Sequence, residues 1–231
     1  MALIIGDNSD FYRSDRVFFR DLQAICAEDS LGLECVELPT DLNGNAYYKV
    51  IYTRNLPASY TSGFPGVEMI DYFVNNYSGT VTIWGLPSDT ICNTHVNLPT
   101  CFVGSKISDK GGLTENFPNG NSVICYDVDL CNGNGYHAND INGNAIPFPP
   151  HVILFHELAH ARVRNGSNAE DEAITLENHY RVSKGLPTRN GHGGGCNLEG
   201  GQNFWKDAFA GCLPCILLGM GTVLGMIKLI Y

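Results

Sequence analysis

Residues His151–Arg164 read HVILFHELAHARVR, and this stretch decides the fold that we expect of the chain. Prolines stand just before it at positions 147, 149 and 150, and Asn165-Gly166 follow it, which predicts a helix with these two ends. Apolar residues cover nearly all of its circumference, so the helix is expected to be buried. They are Val152, Ile153, Leu154, Phe155, Leu158 and Ala159.

The buried helix contains His-Glu-Leu-Ala-His at positions 156–160. Two histidines four residues apart lie on one face of a helix, about one turn apart, so His156 and His160 can bind one Zn²⁺. Glu157 follows the first ligand and points to the side of the metal, where it can take a proton from the zinc-bound water. The spacing therefore predicts a hydrolytic zinc site with Glu157 as the general base.

A second helix is predicted to supply a third ligand, which zinc needs if its fourth position is to stay open for water. Ser167 or Asn168 caps this helix, its first turn is acidic, and it ends at Lys184-Gly185. The acidic candidates are Glu170, Glu172 and Glu177. His151 and His179 are rival ligands of lower rank.

The second helix resembles those of known zinc peptidases. Asp171-Glu-Ala-Ile-Thr175 is similar to the Asn-Glu-Ala-type helix of gluzincin peptidases, and this resemblance favours Glu172 as the third ligand, with Glu177 next. Residues 155–161, the Glu177-Asn178…Arg181 helix and the turn Gly185-Leu-Pro-Thr-Arg189 together resemble the NleD-like effector zinc metallopeptidases. That family implies a bacterial enzyme delivered into host cells, and the similarity covers roughly residues 150–192.

A peptidase also needs a group that stabilises the oxyanion opposite the zinc. Tyr180 and His192 are the candidates that we expect to contribute to catalysis, and Arg181 and Arg189 are further candidates. Arg181 can instead pair with Glu177 four residues earlier on the helix.

The first half of the chain is rich in predicted strands. Runs of β-branched and aromatic residues predict strands at 2–5, 47–52, 80–84 and 122–126, and a helix is predicted from Ser14 to about Glu28. Asn-Gly-Asn occurs four times and predicts tight turns. We therefore expect an α+β, zincin-like metallopeptidase domain over residues 1–205, with a strand-rich N-terminal half followed by the HExxH helix and a glutamate helix.

Composition bounds the remaining possibilities. The 231 residues are 44% hydrophobic, which is enough for a sizeable core, and the formal net charge of −10 without a basic cluster argues against nucleic-acid binding. The chain has nine cysteines but no recognisable secretory signal peptide, so they are interpreted as thiols. Cys92/Cys101 and Cys125/Cys131 are the alternative pairs if the protein is exported by another route.

The C-terminal segment 206–231 is apolar, and residues 208–227 carry no charge. Twenty residues are enough to span a bilayer as a helix, which makes this segment a candidate membrane-spanning helix; the alternative is a buried C-terminal element. We expect the protein to reach a host cell by a non-classical route or to associate with a membrane through residues 208–227.

These observations predict a zinc-dependent metallopeptidase that acts on a protein or peptide substrate. A second possibility is a zinc hydrolase that does not cleave peptides, because the motif determines the metal chemistry better than the substrate. The alternative from another class is a membrane-anchored or membrane-active protein whose HExxH motif is structural or degenerate.

Overall fold

The structure is a computed structural model of the mixed α+β class, with a six-stranded sheet and four α-helices in the part that it describes. The described residues are 2–7, 14–27, 32–42, 45–52, 63–89, 106–109, 111–130, 135–191 and 194–196, with side chains from Phe19 onward in the second range. His192, the segment 206–231 and both members of the Cys92/Cys101 pair lie outside them.

The six-stranded sheet has the order β2-β3-β1-β4-β6-β5. Strands β1, β4 and β6 are parallel to one another, whereas β3, β2 and β5 are added in antiparallel pairs. The strands are β1 Ala2–Asp7, β2 Leu33–Leu38, β3 Ala46–Tyr52, β4 Thr80–Leu86, β5 Gly112–Asn116 and β6 Ser122–Asp127. The four strands predicted from sequence are confirmed, and all of them are inner strands.

The two edge strands, β2 and β5, were not predicted. The middle four residues of β2 are exposed, and β5 reads Gly-Leu-Thr-Glu-Asn, so neither has the apolar pattern of a buried strand. Pairing with a neighbouring strand, rather than the composition of the strand itself, places them in the sheet. A separate three-stranded sheet has the order β8-β7-β9, from Ala145–Pro147, His137–Asn139 and Gly194–Gly195.

Helix α3 (Pro150–Val163) contains the HExxH motif and packs into the main core. Its residues from Val152 to Ala159 are buried, which confirms the expected burial. The other helices are α1 Ser14–Ile25, α2 Pro65–Asp71 and α4 Ala169–Ser183. Asn168 is the N-cap residue of α4, as expected, although its side chain makes no capping hydrogen bond.

Helices α3 and α4 are both followed by a residue in a backbone conformation that residues other than glycine rarely adopt. Gly185, at φ +68°, follows α4 and stops it where Lys184-Gly185 was expected to do so. Arg164, at φ +60°, follows α3, and its guanidinium donates to the Tyr77 hydroxyl and to the carbonyls of Phe117 and Gly120. These contacts offset the cost of the unusual conformation and fix the end of α3.

The described cysteines correct two expectations. Cys26, Cys35 and Cys125 are thiols, so the Cys125/Cys131 alternative is wrong. Cys125 points into a small core on strand β6, where it packs with Trp84 and Leu86. Cys196 is a half-cystine, so not all the cysteines are thiols as the sequence suggested.

Within the described ranges, none of the helices combines the length and the apolar character needed to cross a membrane. The candidate membrane-spanning segment 208–227 lies outside these ranges.

Candidate metal centre

Three side chains from the two site helices converge at one point. His156 and His160 project from the same face of α3, with 3.1 Å between their Nε2 atoms. Glu170, in the first turn of α4, places Oε2 2.9 Å from His160 Nε2 and Oε1 3.7 Å from His156 Nε2. One ligand atom from each residue lies within 4.8 Å of the others, so the group could hold a metal ion.

Glu170 takes the position that the resemblance to gluzincins assigned to Glu172. Glu172 is exposed, because two residues correspond to a rotation of about 200° around a helix and carry its side chain to the other side of α4. Glu170 instead shares a face with Glu177, seven residues later. That seven-residue spacing between two glutamates is the sequence signal that could have pointed to Glu170.

The charge of the Glu170 carboxylate suits a metal ligand. Its pKa is lowered to about 2, chiefly by the hydrogen bond with His160, against an opposing contribution from burial. The charges of His156, His160 and Arg189 lower the pKa further. Burial alone would lower the pKa of His160, but the same hydrogen bond and the charges of Glu157 and Glu170 outweigh it, and the pKa is raised.

Glu177, the second choice as third ligand, lies behind His156 instead. Its Oε2 is 2.9 Å from His156 Nδ1, the ring nitrogen that faces away from the cluster, and the carboxylate is fully buried. Oε1 accepts a hydrogen bond from Arg181 Nε at 2.5 Å, so the alternative role of Arg181, pairing with Glu177, is the one observed. Burial alone would raise the pKa of Glu177, but His156, Arg181 and Arg189 outweigh it and the pKa is lowered.

Glu157 lies beside the three-residue cluster, in contact with the edge strand β5. The Thr114 hydroxyl is 2.8 Å from both Glu157 Oε2 and the Glu157 carbonyl oxygen. Gly112, two residues earlier on the strand, approaches so closely that a Cβ there would lie 2.7 Å from Glu157 Oε1. Burial raises the pKa of Glu157, although the two histidines and Thr114 act in the opposite direction.

The turn after α4 returns to the cluster through Arg189. Its backbone N–H donates to Asn178 Oδ1 at 2.8 Å, and its carbonyl accepts from Asn178 Nδ2 at 2.9 Å. Its guanidinium donates to Glu177 Oε2 at 3.0 Å and lies 3.5 Å from Glu170 Oε1. The residues Glu177-Asn178…Arg181 and Gly185…Arg189, which carried the resemblance to NleD-like enzymes, therefore form one connected network.

Among the described residues, the candidates Tyr180, His151 and His179 do not join the cluster, and His192 lies outside the described residues. The Tyr180 ring is fully buried and stacks on Phe155 with 4.2 Å between centroids, so it packs on a different face of α3 from the two histidines. Burial, with the charges of Lys184 and Arg181, lowers the pKa of His151 to about 4. His179 is exposed.

Thr114 and Gly112 are functional candidates that sequence reasoning missed. Both lie more than forty residues before Glu157, on a short polar strand that carries no motif. Only the pairing of β5 with β6 brings them to α3.

The comparisons with known proteins returned nothing: no family model, no curated protein and no solved structure matches this chain. The functional interpretation therefore depends on the geometry of the site.

Proposed function

We propose that the protein is a zinc-dependent metallopeptidase that hydrolyses peptide bonds of a protein substrate. The observation that carries the proposal is the convergence of His156, His160 and Glu170 with a buried carboxylate, Glu157, beside them. Two imidazoles and one carboxylate form a ligand set of catalytic zinc sites, in which one position stays open for water or substrate.

The distances among the nitrogen and oxygen atoms of His156, His160 and Glu170 support the proposal that the bound metal is zinc. Ligands at about 2.1 Å from a tetrahedral zinc ion lie about 3.4 Å from one another. The two Nε2 atoms are 3.1 Å apart, one Glu170 oxygen is 2.9 Å from His160 Nε2, and the other Glu170 oxygen is 3.7 Å from His156 Nε2, so these distances fall on both sides of that value. The side chains of Glu170 and His160 are 30% and 20% exposed, which leaves a path for water and substrate on that side.

Glu157 is the proton carrier in the proposed reaction. Bound zinc would supply a Lewis acid and lower the pKa of water at the site. Glu157 then accepts a proton from the attacking water while the oxygen of that water forms a bond to the carbonyl carbon of the substrate. It returns the proton to the nitrogen when the C–N bond breaks. Burial makes the Glu157 carboxylate a stronger base, which suits the first of these steps.

The arrangement of elements also supports the finer assignment to a zincin-like fold. The HExxH helix packs beside an antiparallel edge strand, and a glutamate-bearing helix follows it directly. The network around Asn178, Arg181 and Arg189 uses the residues that resemble NleD-like effectors. We therefore extend the proposal to that family and to delivery into a host cell.

Metal analysis and cleavage profiling together test this function. We expect about one zinc per chain. Zinc should be lost in His156→Ala and His160→Ala but retained in Glu157→Gln. Proteomic profiling of new protein termini should show cleavage by the wild type and none by Glu157→Gln.

Two results would contradict the proposal in different ways. A wild type that binds zinc but creates no Glu157-dependent termini would favour a zinc hydrolase of another kind. A wild type that binds no zinc would leave the HExxH motif with a structural role, as in the membrane-anchored alternative.

A further inference from the structure

Arg189 lies between the carboxylates of Glu170 and Glu177. One terminal nitrogen of its guanidinium donates to Glu177 Oε2 at 3.0 Å, and the other lies 3.5 Å from Glu170 Oε1. These carboxylates have different tasks, because Glu170 belongs to the ligand cluster and Glu177 contacts the outer nitrogen of a ligand, His156. A single side chain therefore contacts both a ligand and the group that orients another ligand.

Arg189 is itself held from several directions. The Asn178 amide makes two hydrogen bonds to its backbone, and its Nε donates to the carbonyl of Gly191 at 3.2 Å. Its guanidinium lies over the Phe148 ring, 5.2 Å from the centroid, and the residue is only 7% exposed. Since these contacts fix the guanidinium independently of the carboxylates, it can act as a rigid support for them.

The neighbouring Arg181 shares the contact with Glu177, through the other carboxylate oxygen, but its remaining contacts differ. It donates to Glu177 and to the backbone carbonyls of Pro147 and Pro187. These contacts hold its guanidinium near the C-terminal end of α4, one turn beyond Glu177. Arg189 is thus the guanidinium that reaches Glu170.

We propose that Arg189 is a positioning residue that sets the metal affinity of the site. It holds the Glu170 carboxylate in its place among the ligands and keeps the Glu177 carboxylate against His156, so that the ligands are arranged before the metal binds. This inference rests on the proposed function, because it requires His156, His160 and Glu170 to bind zinc.

The test compares the zinc affinity of purified full-length variants by competition with a chelator. Loss of an outer contact to a metal ligand typically weakens metal binding by about 10–100-fold. We expect a loss of that size in Arg189→Gln. Arg189→Lys should be intermediate, because an ammonium group cannot contact two carboxylates as a planar fork does.

The matched control is Arg162→Gln. Arg162 lies on the HExxH helix and contacts a carboxylate, Glu68, at 3.3 Å, but it faces away from the cluster. Its substitution also removes one arginine–glutamate contact and should leave the zinc affinity within about twofold of wild type. The visible spectrum of the Co²⁺-loaded protein should change in Arg189→Gln and not in Arg162→Gln, because it reports the arrangement of the ligands.

The outcomes separate this inference from the proposed function. If the wild type binds no zinc, both fail. If the wild type binds zinc through His156 and His160, and a folded Arg189→Gln variant binds it equally tightly, the role of Arg189 is refuted and the metal site stands. Should circular dichroism show Arg189→Gln to be unfolded, Arg189→Lys decides: affinity equal to that of Arg162→Gln refutes the inference, and weaker affinity supports it.

Discussion

Replacing Gly112 with alanine should displace the proposed general base, Glu157, without replacing a proposed metal ligand. A Cβ at this position would lie 2.7 Å from both Cγ and Oε1 of Glu157 and 2.9 Å from Cδ. Ordinary van der Waals contact begins near 3.4 Å, so Glu157 or strand β5 must shift by about 0.7 Å. Glu157 has little room to adjust, because it is buried and its Oε2 is 2.8 Å from the Thr114 hydroxyl.

The size of the shift determines the expected effect on turnover. Displacement of a catalytic group by about 1 Å can lower a rate by about 100-fold, so a smaller shift should lower kcat/KM by roughly 10–100-fold. This loss corresponds to about 1.4–2.7 kcal/mol of transition-state stabilisation. Zinc content should remain that of the wild type, since the three atoms nearest to the new methyl group all belong to Glu157 and none to a proposed ligand. The added methyl group should also lower the free energy of unfolding, by about 1–3 kcal/mol.

The assay is peptide hydrolysis by zinc-loaded protein, with zinc content and thermal unfolding measured on the same samples. Gly166→Ala is the matched control, because a Cβ there meets nothing within 4 Å and this glycine does not have positive φ. We expect the control to hydrolyse peptides at the wild-type rate. A folded, zinc-loaded Gly112→Ala variant with wild-type kcat/KM would show that the contact between β5 and Glu157 does not position the base.

Further predictions concern the third ligand, the acid stability and the C-terminal segment. Glu170→Ala should lower zinc occupancy measured by mass spectrometry, whereas Glu172→Ala should not; the reverse result would restore the ligand expected from the gluzincin resemblance. Burial raises the pKa of Asp21 to about 6, against the opposing effect of its hydrogen bond with Tyr126. A carboxyl whose pKa is higher in the folded state stabilises the fold below its unfolded pKa of about 4 and loses this contribution as pH rises through about 6. From pH 4 to 7 the wild type should therefore lose up to about 2 kcal/mol of unfolding free energy relative to Asp21→Asn in urea titrations, and parallel pH profiles would refute this. If residues 208–227 enter a bilayer, the full chain should stay with membranes during carbonate extraction and a chain truncated before residue 208 should not; extraction of the full chain would contradict the membrane interpretation.

The sequence predictions succeeded where a feature depends on neighbouring residues in the chain, and they failed where it depends on residues far apart in the sequence. Each inner strand points buried apolar residues into the core, such as Ile5, Val50 and Ile83, and carries a β-branched or aromatic run, which made β1, β3, β4 and β6 recognisable. The edge strand β5 carries no such run, so its residues, including Thr114, could not be connected with Glu157 in advance. The gluzincin resemblance favoured Glu172, whereas the structure brings Glu170 beside the two histidines, because Glu170 lies on the face of α4 that also carries Glu177.

The sequence by itself determined the part of the candidate metal centre that lies on one helix, α3. Four residues make one helical turn, so His156 and His160 must share a face, and Glu157 must lie beside them. Only the tertiary structure selected Glu170, placed Glu177 behind His156 and brought β5 against Glu157. These contacts depend on how helices and strands far apart in the chain pack, and packing is decided by the combined burial of many side chains rather than by any local pattern.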